Sequence, residues 1–142
     1  MPVAVKRVYE SVSRADGARV LVDRLWPRGL RKADVALHAW LRDLAPSDEL
    51  RKWFHARPER WELFRKRYLK ELARPEAEKD LQKLYALTHK RKRVTLLYAS
   101  KNETRNNAVV LKDLLAGTRK PPTGTGPGAL RMRAREAAVR RR

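Results

Sequence analysis

Residues 19–23 read Arg-Val-Leu-Val-Asp, and residues 24–30 follow at once as Arg-Leu-Trp-Pro-Arg-Gly-Leu. The unbroken apolar run Val20-Leu21-Val22 predicts a short strand buried on both faces, as in the centre of an α/β sheet. Pro27 and Gly29 then end the strand. Pro27 holds Trp26 extended, and Gly29 permits positive φ or a close approach. Asp23, Arg24, Trp26 and Arg28 thus arrive together at a strand end, where a rigid scaffold positions binding groups.

Working outward, Val3 to Tyr9 has the β-branched, semi-alternating pattern of a first strand, and Ala15-Asp16-Gly17 marks the turn before the second. Arg93 to Tyr98 forms another buried strand. Lys32 to Ala36 has room for one helical turn, and His38 to Leu44 reads equally as extended or helical. Ser47 caps a short helix running to about His55, with acids in its first turn. Pro58 starts a helix whose Trp61, Phe64, Tyr68 and Leu72 recur on one face, and Pro75 starts another carrying Leu81, Leu84, Tyr85 and Thr88. Trp53, Phe54, Trp61 and Phe64 read as core residues rather than as a base-stacking platform. A turn at Ala99–Asn102 leads into a last helix through Leu115, stopped at Gly117.

The order of these elements predicts an α/β fold: a single, small, three-layer-like domain over residues 1–117, with a short, mainly parallel sheet covered by helices. Residues 120–128 are rich in Pro and Gly and read as a linker. Residues 118–142 as a whole read as a linker and Arg-rich tail, flexible or marginally helical.

There is no cysteine, which excludes disulfides and thiolate chemistry. No apolar run approaches the roughly 20 residues of a spanning helix, and the N-terminus lacks the apolar core of a secretory signal, so a cytoplasmic protein with no membrane partner is expected. The net charge is +19, of which residues 118–142 carry +7 (eight Arg or Lys against Glu136) and residues 1–117 carry +12. Such a surface attracts polyanions through counterion release, with affinity that falls steeply as salt rises.

Two segments carry candidate chemistry. In the first, Arg24 and Arg28 offer planar forks of donors suited to phosphate or carboxylate. Trp26 either walls a pocket or caps the core, and Asp23 either orients an arginine or serves as a catalytic base. The second segment, Tyr98 to Asn107, lies at the end of a buried strand and opens a helix, a place that attracts anions. Tyr98, Lys101, Asn106 and Asn107 are its candidate ligand-binding residues, with ordinary capping by Asn102 or Thr104 as the alternative. His38, His55 and His89 match no metal-ligand spacing, and there is neither a phosphate loop nor a dinucleotide fingerprint, so no metal and no cofactor are expected.

Several blocks together resemble one family: Arg19–Leu30, Trp40–Ser47, Leu50–Phe54, Arg60-Trp61 with Phe64 and Tyr68, and Val94–Ala99 with Asn106-Asn107-Ala108. They are similar, in order and spacing from about Lys6 to Leu115, to the YeaO-like branch of the domain-of-unknown-function 488 family. The resemblance implies a compact α/β domain and brings no activity. Its signature positions fall here on Asp23, Arg24, Trp26, Pro27, Arg28, Gly29, Asp43, Pro46, Trp53, Tyr98, Asn106 and Asn107.

The residues thus predict an anion-binding pocket for a phosphate-bearing small molecule such as a nucleotide, built from Asp23, Arg24, Trp26 and Arg28 facing Tyr98, Lys101, Asn106 and Asn107. The alternative is a non-catalytic protein that binds nucleic acid through its basic body and tail. In that case deletion of residues 118–142 makes the salt dependence of nucleic-acid binding shallower, read from titrations at several ionic strengths. An unchanged slope removes the tail from the interface.

Overall fold

The computed structural model describes residues 3–117. The sequence-based expectations for the linker and the Arg-rich tail fall outside these described residues. Four strands form one sheet: β1 (Val3–Arg7), β2 (Ala18–Leu21), β3 (Ala39–Trp40) and β4 (Val94–Tyr98). Every pairing is parallel, and the order is β1-β4-β2-β3. The last strand in sequence therefore lies inside the sheet. Val94 is opposite both Val3 and Ala18, and Leu96 opposite both Val5 and Val20.

Five helices accompany the sheet among the described residues: α1 (Lys32–Val35), α2 (Asp48–Ala56), α3 (Trp61–Leu72), α4 (Pro75–Lys90) and α5 (Asn107–Gly117). The small α/β domain read from the sequence is the one observed. Side chains alternate across a strand with a period of two, which divides the core. Val20, Val22, Leu96 and Tyr98 join Phe64, Tyr68, Leu72, Leu81, Leu84 and Leu111 in the main cluster, beneath α2 to α5. Leu21 and Leu97 point the other way and meet Val8 and Val35, with Trp26, Leu30, Leu37 and Trp40 packed around them. The third layer is therefore thin, made of α1 and the segment that leads to it.

Several boundaries differ from the sequence reading. The first strand stops at Arg7, and Glu10 folds back to accept a bond from the Arg7 N–H at 3.0 Å. The ambiguous stretch His38–Leu44 resolves into the two-residue β3 and a 3-10 turn over Arg42–Leu44. The helix after Pro58 begins only at Trp61. Ser47 does cap α2, accepting from the Leu50 N–H at 3.2 Å.

The amino end of the sheet is fixed by a buried charge cluster. Asp16 accepts Lys6 Nζ at 3.0 and 3.1 Å, Arg19 Nη1 at 2.6 Å and the Ser13 N–H at 2.9 Å. Arg19 Nε donates to the Val35 carbonyl at 2.8 Å, and Thr95 Oγ1 to the Asp16 carbonyl at 2.7 Å. Burial alone would raise the Asp16 pKa, but the bonds from Ser13, Lys6 and Arg19 outweigh it and hold the carboxyl below its ordinary range.

Beside this cluster, Gly17 has φ +64°, and a Cβ there would lie 2.2 Å from the Arg93 carbonyl oxygen. Gly29, at φ +83°, faces open space. Gly17→Ala is therefore expected to destabilise the domain by on the order of 2–3 kcal/mol, and Gly29→Ala by about 1 kcal/mol. Urea unfolding of the two variants checks the ordering; equal losses would contradict the close approach at Gly17.

Candidate functional site

Beyond β2 the chain passes to the thin face, where Trp26 and Leu30 pack beside Leu21 and Leu97. Beyond β4 it turns and enters α5, whose Ala108, Val110, Leu111 and Leu115 pack into the main cluster on the opposite face. Neighbouring strands whose continuations part to opposite faces leave a crevice at their carboxyl ends, the usual ligand position in open α/β sheets. Asp23 lies at these carboxyl ends.

Its carboxylate joins both strand ends to the last helix. Oδ2 accepts the Ala99 N–H at 2.9 Å, and Oδ1 accepts Asn107 Nδ2 at 3.0 Å. The same Asn107 nitrogen donates to the Val22 carbonyl at 3.0 Å, so both of its protons are used. Trp40 Nε1 donates to the Asp23 carbonyl at 2.7 Å, adding the end of β3. Burial pushes the Asp23 pKa up, and the bonds from Asn107 and Ala99, with the nearby Arg51 charge, pull it only part of the way back. A carboxylate kept where burial disfavours its charge is a candidate functional group.

Two phenols on the elements around these strand ends are buried. Tyr68 is fully buried and donates its hydroxyl to the Leu44 carbonyl. Its pKa is pushed well up by burial, then by the Asp23 and Glu71 charges, so it stays a neutral donor. Tyr98 is also buried, and burial, with Glu103 and Glu10, raises its pKa; Arg7 and the Asn106 amide beside it oppose the rise.

The predicted site residues fall into three sets. Asp23 and Asn107 meet directly, and Tyr98 and Asn106 form a second pair. Asn106 is also the N-cap of α5, its Oδ1 accepting the Val109 N–H at 3.0 Å and its Nδ2 donating to the Asn102 carbonyl at 2.8 Å. Asn102 organises the turn, its Oδ1 accepting the Thr104 and Arg105 N–H groups at 3.1 and 2.9 Å. Trp26 belongs to the core: its Nε1 donates to the Leu30 carbonyl at 2.6 Å and its ring meets Trp40 edge-on at 5.4 Å.

Arg24, Arg28 and Lys101 form the third set, and among the described residues no hydrogen bond or ion pair joins their side chains to the other two sets. Arg24 makes a long 3.5 Å contact from Nη2 to the Ala45 carbonyl. Lys101 and Arg28 are exposed, and among the described residues the Arg28 guanidinium has no hydrogen-bond or ion-pair partner. The Asp23 carboxylate holds a backbone N–H and an amide instead of orienting either arginine. Asp43 lies elsewhere, its N–H donating to Asp80 at 3.1 Å.

The sequence reading missed Arg7, whose Nε and Nη2 donate to the Ser100 and Ala99 carbonyls at 3.0 and 3.2 Å. It also missed Arg51 and Tyr68 as electrostatic neighbours of Asp23. Pairing β1 with the second segment would have revealed Arg7, since Arg7 is opposite Tyr98 in the sheet.

A small parallel α/β domain whose central strand ends are bridged by a carboxylate is the class of protein that these features define. The family model described as "Inactive DUF488-N3 subclade" matches residues 2–124, and the chain belongs to this family, DUF488-N3i. It is 48% identical over 115 residues to the uncharacterised protein YeaO of Escherichia coli K12, covering 81% of this chain and 97% of that one. It is 46% identical over 115 residues to the uncharacterised protein Rv3073c of Mycobacterium tuberculosis H37Rv, covering 81% and 94%. No solved structure matches the chain. Among the described residues no helix is long and apolar enough to cross a membrane, and no group of three His, Asp or Glu side chains is placed to hold a metal ion.

The raised Asp23 pKa fixes the sign of a pH effect. The folded chain holds the Asp23 proton more tightly than the unfolded chain, so this group favours folding most below its ordinary 3.8 and least above its raised value. Relative to Asp23→Asn, the wild type is expected to gain stability as pH falls from 7 towards 4, read as the difference between urea midpoints. A relative loss on acidification would show that the bonds from Asn107 and Ala99 outweigh burial.

Proposed function

We propose that this domain binds a phosphate-bearing small molecule, such as a nucleotide, at the carboxyl ends of β2 and β4 without transforming it. The observation that carries this reading is a guanidinium held out by a rigid loop. Arg28 follows the buried Pro27, its carbonyl accepts the Tyr9 hydroxyl at 2.9 Å, and the loop closes through the Trp26–Leu30 bond. Its backbone is fixed while its charge is unpaired, which lowers the ordering cost of capturing an anion.

Other features support the same reading. Arg24, Lys101 and Arg105 add positive charge around the crevice, and α5 turns its amino end towards it through Asn106 and Asn107. Asp23 acts in this scheme as the brace that keeps the two strand ends and α5 in register. Both of its oxygens are engaged, which favours a positioning role over that of a base. The description of the family as inactive supports binding over catalysis.

Titration calorimetry with mononucleotides tests the proposal. Wild type is expected to bind saturably, and Arg28→Ala to bind about tenfold or more weakly, the effect of losing one charge-assisted contact. Arg28→Ala should melt with the wild type, because the exposed guanidinium contributes little to folding. Equal affinities, or no binding by wild type, would overturn the assignment.

A further inference from the structure

A second concavity lies on the outer side of α2 and α3, with a volume of about 350 Å³. Its wall includes Leu50 and Trp53 of α2, and Arg67, Lys70 and Arg74 at and just beyond the end of α3. Arg67 and Lys70, three residues apart on α3, and Arg74, in the extended link to α4, place three exposed cations along the pocket wall. None of the three is in an ion pair among the described residues.

The acids in the same wall do not balance them. Two acids face three cations, and the Glu71 carboxylate, though still charged, is held in place at the N-cap of α2, accepting the Ser47 N–H at 2.8 Å and the Ser47 hydroxyl at 2.6 Å. Glu49, on the first turn of α2, is the remaining acid.

The apolar side of the pocket is an indole. Trp53 is only partly buried, one side packed on the main cluster. The Arg67 guanidinium lies 4.4 Å from its ring centroid and that of Arg57 at 5.7 Å. Of these two cations only Arg67 lines the pocket. Base stacking is worth more than an exposed cation–π contact, so a planar base entering the pocket can displace the Arg67 guanidinium from the indole towards its own phosphate.

We propose that this pocket is a nucleotide-binding site, with the base against Trp53 and the phosphate on Arg67, Lys70 and Arg74. A free mononucleotide and one unit of a single-stranded nucleic acid present the same chemistry. An acidic peptide would satisfy the cations but not the indole. The pocket shares no lining residue with the crevice at the strand ends, so either assignment can fail alone.

The test uses the full chain and a fluorescein-labelled oligothymidylate of about twelve nucleotides, read by anisotropy. Lys70→Ala/Arg74→Ala and Trp53→Ala are each expected to weaken binding about tenfold. Lys90→Ala/Lys92→Ala, which removes equal charge beyond this pocket, should change it by no more than roughly twofold. Should Trp53→Ala fail to fold by circular dichroism, Trp53→Phe replaces it, with a smaller loss expected from the smaller ring. Competition by thymidine 5′-monophosphate assigns the site to single nucleotides, and binding that resists it assigns the site to strands; both support the proposal. Equal losses in the two double variants, wild-type affinity in the Trp53 variant, equal displacement by polyglutamate, or no binding at low salt would each overturn it.

Discussion

The central position of β4 is the constraint on which the rest of the structure depends. Apart from the two-residue pairing of β2 with β3, every ladder in the sheet uses β4, and its residues bond on one side to β1 and on the other to β2. The first two strands therefore have no direct hydrogen-bonded partner in each other. The sheet closes only when a segment from the far end of the domain is inserted between them, which makes the topology strongly non-local. The helices α2 to α4 lie within that long connection and supply the apolar cover under which β4 is buried.

The same insertion builds the crevice. Because β4 lies next to β2, Ala99 and the amino end of α5 come beside Asp23, and one carboxylate can bridge them. A buried apolar residue at position 23 would leave the Ala99 N–H without this acceptor, whereas the carboxylate satisfies it at the cost of desolvating a charge. The brace is thus electrostatically disfavoured and geometrically specific. Its hydrogen-bond partners are the neutral donors Asn107 and the Ala99 amide, and neither Arg24 nor Arg28 is bonded to it.

Much of this fold could be read from the chain because the central strands are marked by composition. Val20-Leu21-Val22 and Val94-Thr95-Leu96-Leu97-Tyr98 are apolar on both faces, as burial between two layers requires. The helical faces at Phe64, Tyr68 and Leu72, and at Leu81, Leu84 and Tyr85, were legible for the same reason. β3 was not: its two residues are set by pairing of Ala39 and Trp40 with Val20 and Leu21, a tertiary effect with no local pattern. For the site, the sequence supplied both halves of the Asp23–Asn107 contact but not their pairing, which follows from strand order. Trp26 looked as suitable for a pocket wall as for core, and only the thin layer around Leu21 and Leu97 decided its packing.

The two edges of the sheet also differ in how they are closed. β3 ends one edge after two residues, too short to template another strand. β1 ends the other with Lys6 and Arg7, whose side chains are drawn back to Asp16 and to the Ser100 and Ala99 carbonyls. An extended strand docking there would have to lie against charged residues already committed to the fold, which is how natural sheets discourage edge-to-edge association. The ion pair that fixes the amino end of the sheet thereby also serves as a guard against aggregation.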